Sequence, residues 1–448
     1  MSYKYLEIRP NNVPADNKIQ FQGIPVLSFT IGSQNALLKL DSVKIAGKLN
    51  VWANRGTTPL EHPVDGGAGE ECMASEKLGV YGLMSQVVWR NSKSKQVCEH
   101  IRHYSRFMSS YLPVLSSTQD AMSHLSESAL IMPSALAFRD SVIRNTSYSS
   151  FCVPIPSGMT MGSGVEGAPE GHLPLFESGF GGLDCEIHLS PDQQFFFAND
   201  GSAGSIADCF YELEDVKIVC EVYIPAPDEL SRLMSRTSDI FSFNSISSYT
   251  STLQSTNAIV NFQLGLSRVL SAFVNFVPSS FINNYAQNGY VTSFPAKDDG
   301  TLCAIEDVAF LKNGERFPQE FTTDANIKFD SKAKSVDPQI IKEFGSAIIP
   351  ETNHMRTQMS PVNTNRIFAL TNTAGGVNDY DKTPEGGACY GVGVLYDMLD
   401  SDGVSFKSDA FTLQMNTTLD DANPNTAFLF VKAKNSLAYS PNGIEIIS

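Results

Sequence analysis

The densest run of potential ligand residues in the chain is Cys98-Glu-His100-Ile-Arg-His103. A zinc or related transition-metal centre needs several such side chains converging from paired motifs. On a helix, Glu99 and His103 share a stripe but Cys98 and His103 do not, and no fourth ligand is evident. The run therefore reads as a solvated helix face. Asp379-Tyr-Asp381 and Asp400-Ser-Asp402-Gly403 hold carboxylates two residues apart, the raw material of a glycosidase acid pair. Their Gly and Pro neighbours make them exposed turns instead. Asn199-Asp200-Gly201-Ser202-Ala203-Gly204 lacks both the alternating acids of a calcium loop and the Gly-Lys-Ser/Thr of a phosphate loop, so it too reads as a turn. There is no Gly-x-Ser-x-Gly elbow and no His-Glu-x-x-His. The sequence offers no catalytic residue, no metal-ligand set and no cofactor loop, and the expectation is a protein that is not an enzyme.

The elements that would have to position any site are strands. The chain has 28 Phe and 15 Tyr against 2 Trp, with 32 Gly and 23 Pro, a composition suited to many short strands joined by turns. At 448 residues it exceeds what one hydrophobic core usually serves, so two β-domains are expected. A net charge of −16 works against holding a phosphate backbone by the average surface. Eight cysteines without a CxxC read as free thiols of a reducing compartment, with Cys185 and Cys220 as small apolar strand residues. The opening MSYKYLEIRPNN has no apolar leader, and no stretch approaches the ~18 apolar residues of a membrane span. The expectation is a soluble chain with no transmembrane segment.

Strand signals recur along the whole chain. Leu27, Phe29 and Ile31 alternate with Ser28 and Thr30, and Val43, Ile45, Gly47, Leu49 and Val51 alternate with Ser42, Lys44, Lys48 and Asn50. Cys185, Ile187 and Leu189 oppose Glu186 and His188. Three helices are expected among them: Ser94 to Leu112, with Val97, Ile101, Tyr104, Met108 and Tyr111 inward; one capped by Thr118, with Met122, Leu125 and Ala129 inward; and one opened by Asp337-Pro338, with Ile340, Ile341 and Phe344 inward and Gly345 stopping it. Asn313-Gly314 between extended runs signals a hairpin. Of Phe195-Phe196-Phe197, one or two are expected in a core and the rest at a subunit interface or against a helix. Arg366–Leu370, Ala388–Tyr396 and Ala410–Asn416 supply further strands.

The middle of the chain is the pivot. Val216, Ile218, Cys220, Val222 and Ile224 line one face of a strand that closes the first β-domain. Pro225 ends it, and Pro227, Asp228 and Glu229 begin a short helix. A Ser/Thr-rich connector is expected from Ser235 to Thr256, after which Val260 to Phe276 opens the second domain. The division reads as 1–226, a linker at 227–256, and 257–448.

Two stretches resemble a known family. In PNNVPADNKIQFQGIPVLSFTIGSQNALLKLDSVKIAGKLNVWANRG, the pieces Phe29-Thr30-Ile31, Gln34-Asn35, Leu37-Leu38, Ser42-Val43 and Ala46-Gly47 are similar to the start of the double jelly-roll major capsid proteins of polinton-like viruses and virophages. YELEDVKIVCEVYIPAPDEL followed by SRVLSAFVNF is similar to the junction of the two jelly rolls in that group. The resemblance implies an all-β chain of two consecutive eight-stranded jelly-roll sandwiches with short helical insertions. It further implies a homotrimer forming a pseudo-hexameric capsomer, which tiles an icosahedral shell around double-stranded DNA beside a penton protein and minor capsid proteins. Such a chain is assembled inside the host cell, resides in the virion, and needs no catalytic residues or cofactor. Two alternatives stay open: a carbohydrate-binding or carbohydrate-cleaving two-domain β-sandwich protein, and a minor spike or vertex protein of a virion.

Overall fold

The strand order of one sandwich is repeated by the other. The computed structural model describes residues 2–14, 16–53, 58–59, 72–75, 78–115, 128–129, 149–165, 168–198, 209–236, 239–290, 294–299, 303, 305–317, 328–330, 333–335, 344–348, 391–396, 402–440 and 443–447. The first sandwich is built from β1 (Ser2–Ile8), β2 (Val26–Ile31), β3 (Leu37–Ala53), β4 (Met84–Asn91), β5 (Val97–Ile101), β6 (Ser149–Pro154), β7 (Leu183–Leu189) and β8 (Phe210–Ile224). Helix α1 (Tyr104–Leu115) follows β5, and α2 (Pro227–Met234) follows β8. The second sandwich is built from β9 (Asp239–Leu253), β10 (Asn257–Phe262), β11 (Val269–Pro278), β12 (Ile305–Lys312), β13 (Glu315–Arg316), β14 (Val392–Leu395), β15 (Phe411–Thr417) and β16 (Asn425–Ser440).

In the first sandwich β8 pairs β1 and β3, and β3 pairs β6, giving β1-β8-β3-β6; the facing sheet is β2-β7-β4-β5. Adding eight to each number gives the second sandwich, β9-β16-β11-β14 and β10-β15-β12-β13. Every one of these pairings is antiparallel. This is the double jelly roll that the resemblance implied, and the duplication is one of topology.

Local chemistry accounts for the elements. On β8, Val216, Ile218, Cys220 and Val222 are buried with Leu27, Phe29, Cys185 and Ile187 of the facing sheet, as period-two patterning demands. Ile224 continues the pattern at the last residue of the strand, opposite Ser2, and is 40% exposed. The β8 ladder shifts register around Asp215, which takes a left-handed φ of 52° and is held by Lys48 at 3.0 Å and Asn17 at 2.7 Å. Asn313 and Gly314, with φ of 52° and 85°, form the expected two-residue turn between β12 and β13. Cys98, Cys152, Cys185, Cys209, Cys220 and Cys303 are free, and Cys185 and Cys220 are buried.

Several expectations are corrected. The Ser/Thr-rich stretch taken as a connector is β9, paired residue by residue with β16 from Asp239–Tyr439 to Leu253–Asn425. Serine and threonine tolerate a pleated, half-buried surface, and the buried Phe241 and Phe243 supply the missing apolar period. The second run of strands therefore opens at Asp239 and not near Val260. The helix expected from Ser94 to Leu112 is a strand followed by a helix. Val97–Ile101 pairs with β4, His103 turns the chain at φ 54°, and only then does α1 begin. The apparent three-and-four spacing ran across this break. Gly345 does not stop a helix, because residues 344–348 are helical. Residues 118–127, 337–343, 366–370 and 388–390 lie outside the described residues, as do Asn199–Gly204.

Ile218 has no exposed surface, so Ile218→Asp should lower unfolding free energy by on the order of 4 kcal/mol. Ile224→Asp, on the same strand, should cost under ~1 kcal/mol. Chemical denaturation of the two variants checks the placement of the strand.

Candidate functional site

The concentration of buried polar chemistry lies where the two sandwiches meet. Strand β11 and the adjoining stretch of β16 are buried on both faces there. Along β11, Ala272, Val274 and Phe276 alternate with Ser271, Phe273 and Asn275, and every residue from Val269 to Pro278 is buried. Phe273 pairs with Phe430 and Asn275 with Phe428, so these four share the face that meets α1. Phe107 of α1 packs at 6.3 Å from Phe273 and 5.8 Å from Phe430 between ring centroids, inside the range of favourable aromatic pairs.

Hydrogen bonds fix this contact. Asn275 Nδ2 donates to the Arg106 carbonyl at 3.1 Å and to Ser110 Oγ at 2.7 Å. Tyr290 OH donates to Ser105 Oγ at 2.8 Å, and Gln194 Nε2 donates to Tyr290 OH at 3.0 Å. The Arg106 guanidinium is buried, lies 4.1 Å from the Tyr290 ring centroid and 5.3 Å from that of Phe428, and donates to the Gly289 carbonyl. Burial draws its pKa below the ordinary guanidinium value.

Glu99 is the second anchor. Its Oε1 accepts from the N–H of Gly158 at 3.0 Å and of Ile246 at 2.8 Å, and its Oε2 accepts from Met159 N–H at 2.9 Å. One carboxylate thus holds the Gly158–Met159 loop and β9 together. Gly158 is obligatory: a Cβ there would lie 2.2 Å from the Asn244 carbonyl oxygen and 2.6 Å from Glu99 Oε1. Burial raises the Glu99 carboxyl while bonds from Met159, Ile246, Gly158 and Ser157 pull it back, leaving it pushed up to about 7.

The potential ligand residues of the Cys98–His103 run do not converge. Glu99 faces the seam, while His100 Nε2 meets Gln86 Oε1 at 2.8 Å. His103 packs against the Phe428 ring at 5.0 Å, and burial, reinforced by Arg106 and Arg102, pushes it down to about 4. Burial pushes the Cys98 thiol up to about 12, away from the thiolate a metal needs. The solvated helix face is corrected to a strand and helix N-terminus built into an internal interface. Among the described residues no group of three His, Cys, Asp or Glu could hold a metal ion. Asp402 pairs with Lys434 at 3.6 Å in an exposed turn, and Asp379, Asp381 and Asp400 lie outside the described residues. Phe195, Phe196 and Phe197 are all buried within this chain, so none is left for an outer contact. A cleft of about 720 Å³ opens beside the seam, lined by Lys39, Asp41, Arg268 and Lys434 among others, with charges of both signs and no convergent set. No described helix is long and apolar enough to cross a membrane.

The sequence reading missed Glu99, Arg106, Asn275 and Tyr290 as a group. One signal was available: Ser271 and Asn275 interrupt an otherwise apolar strand on a single face.

No protein-family model matches the sequence, and no curated protein matches it. Solved structures do. The chain is similar to a chain of the PBCV-1 virus capsid, with 10% identity, 100% of this chain and 96% of that chain covered and a TM-score of 0.57. It is similar to a chain of the Sputnik virophage with 10% identity, 100% and 88% covered and a TM-score of 0.53. It is similar to the Faustovirus major capsid protein with 10% identity, 98% and 90% covered and a TM-score of 0.54. At this identity the shared property is the fold, the double jelly roll over the whole chain.

The pH dependence of stability follows from Glu99. Its carboxyl titrates at about 7 when folded against 4.5 ordinarily. Below pH 4.5 it is protonated in both states and its contribution is fully present. As pH rises through 4.5 the unfolded chain ionises first, so stability falls until about pH 7, by roughly 3 kcal/mol from this group. Glu99→Gln should flatten that part of the profile, read by denaturant titrations from pH 4 to 8. Arg106→Ala should cost about 3 kcal/mol at any pH in that range, since it removes the stacked guanidinium and leaves the Gly289 carbonyl without its donor.

Proposed function

We propose that this chain is the major building block of an icosahedral virus shell, a capsid protein of a double-stranded DNA virus or virophage that works by self-assembly and not by turnover. The observation that carries this reading is the repeated topology joined by a buried seam. Two sandwiches of the same strand order, fixed side by side in one chain, are two sixths of a ring, and three chains complete it as a pseudo-hexameric capsomer. The capsid proteins to which the chain is similar share this fold from end to end.

The rest of the reading follows from the same chemistry. Glu99, Arg106, Asn275 Nδ2 and Tyr290 are each engaged in hydrogen bonds along the seam, which suits a structural part. Charge of −16 suits a shell wall that encloses DNA without sequence-specific contact. The partners are further copies of the chain, in the capsomer and between capsomers, with a penton protein and minor capsid proteins at special positions. The chain resides in the virion, assembled inside the host cell.

Sedimentation of the purified protein at micromolar concentration should give a species of three 48.8 kDa chains, and electron micrographs should show threefold particles with a hexagonal outline. A stable single chain under those conditions would sink the proposal.

A further inference from the structure

Because β1 to β8 and β9 to β16 follow one topology, each face of one sandwich has a counterpart on the other. The outer face of β9-β16-β11-β14 is covered by α1 and by β5, whose Glu99 bonds to Ile246 of β9. Its counterpart is the outer face of β1-β8-β3-β6. Register places Tyr3, Tyr5 and Glu7 of β1 there, opposite Tyr223, Glu221 and Val219 of β8. Helix α2 covers one end, where Leu233 clusters with Tyr223 and Leu37. The remainder is open: Tyr3 is 56% and Tyr5 69% exposed, and Lys44 and Cys152 are exposed beside a half-buried Ala46. The counterpart of β5 is β13, and both of its residues, Glu315 and Arg316, are exposed.

Resting on the shell reading above, we propose that the open outer face of β1-β8-β3-β6 is the docking surface for the second sandwich of a neighbouring copy of this chain, presented through the flank that carries β13. The step that takes the first sandwich onto the second, repeated once more, brings the next copy's first sandwich against that flank. Such a contact joins two different surfaces head to tail and closes when the rotation completes a ring.

Charge and composition select this occupant. A second copy also carries −16, so copies can meet only over a face that is not itself negative. Here Lys39, Lys44 and Lys217 stand against Glu7, Asp41 and Glu221, with Lys217 to Glu7 at 2.7 Å, Lys39 to Glu221 at 3.5 Å and Lys39 to Asp41 at 3.7 Å. These three lysines and three carboxylates cancel. Exposed tyrosines beside small side chains are the composition of an interface centre, where large rigid rings bury area at little cost in side-chain entropy.

The test compares the wild-type chain with Tyr3→Asp/Tyr5→Asp by sedimentation velocity at micromolar concentration, with circular dichroism on the same samples. Both side chains are more than half exposed, so the variant should keep its β signal while its self-association weakens at least tenfold. Ile259→Asp, 65% exposed on β10 of the other sheet, should leave association unchanged. If the wild type assembles and the tyrosine variant assembles equally well, the docking surface is wrong and the shell reading stands. If the wild type remains a single chain, the shell reading falls first. Should the variant lose its fold, hydroxyl-radical footprinting of the wild type decides: Tyr5 must be less reactive in the assembled than in the diluted protein, and equal reactivity overturns the assignment.

Discussion

The centre of one sheet, where strands β11 and β16 have no free face, organises this molecule. An antiparallel sheet in a sandwich ordinarily packs one face on the core and leaves the other to water. Sheet β9-β16-β11-β14 packs one face on its own sandwich and gives the other to α1 and β5 of the first. The fully buried β11 follows from that position, as does the burial of Lys432, which pairs with its Ser271. With both faces used, the two sandwiches cannot separate without exposing aromatic surface, chiefly Phe107, Phe273, Phe428 and Phe430.

Burying polar groups in such a seam is costly unless each finds partners, and here the partners give direction to an otherwise non-directional apolar contact. Glu99 spends both oxygens on three backbone N–H groups drawn from a loop of the first sandwich and a strand of the second. Asn275 spends its amide on α1. A slip of one residue along β9 or α1 would leave a carboxylate or a backbone donor buried and unpaired. The register of the seam is therefore specified more sharply than hydrophobic area alone could manage. The near-neutral titration of Glu99 is the electrostatic trace of the same compromise, burial favouring the acid and the N–H groups favouring the anion.

Period-two patterning, turn chemistry and composition are local properties, and they were enough to fix the all-β class, the face of Val216 to Val222, the Asn313-Gly314 turn and the presence of two strand runs. They determined these because a half-buried strand writes its environment into every second residue. What the sequence left open was everything set by the far side of a sheet. Ser235 to Thr256 looked like a connector because its hydroxyl side chains say nothing of the strand beside them, and pairing with β16 made β9 of it. Val97 to Tyr111 kept a helical spacing by coincidence, and only pairing with β4 shows that its first part is extended. Glu99 and Arg106 read as surface charges because burial by a second sandwich more than a hundred residues away leaves no mark in their neighbours. Long-range contact, which no local pattern encodes, decided which charges went inside.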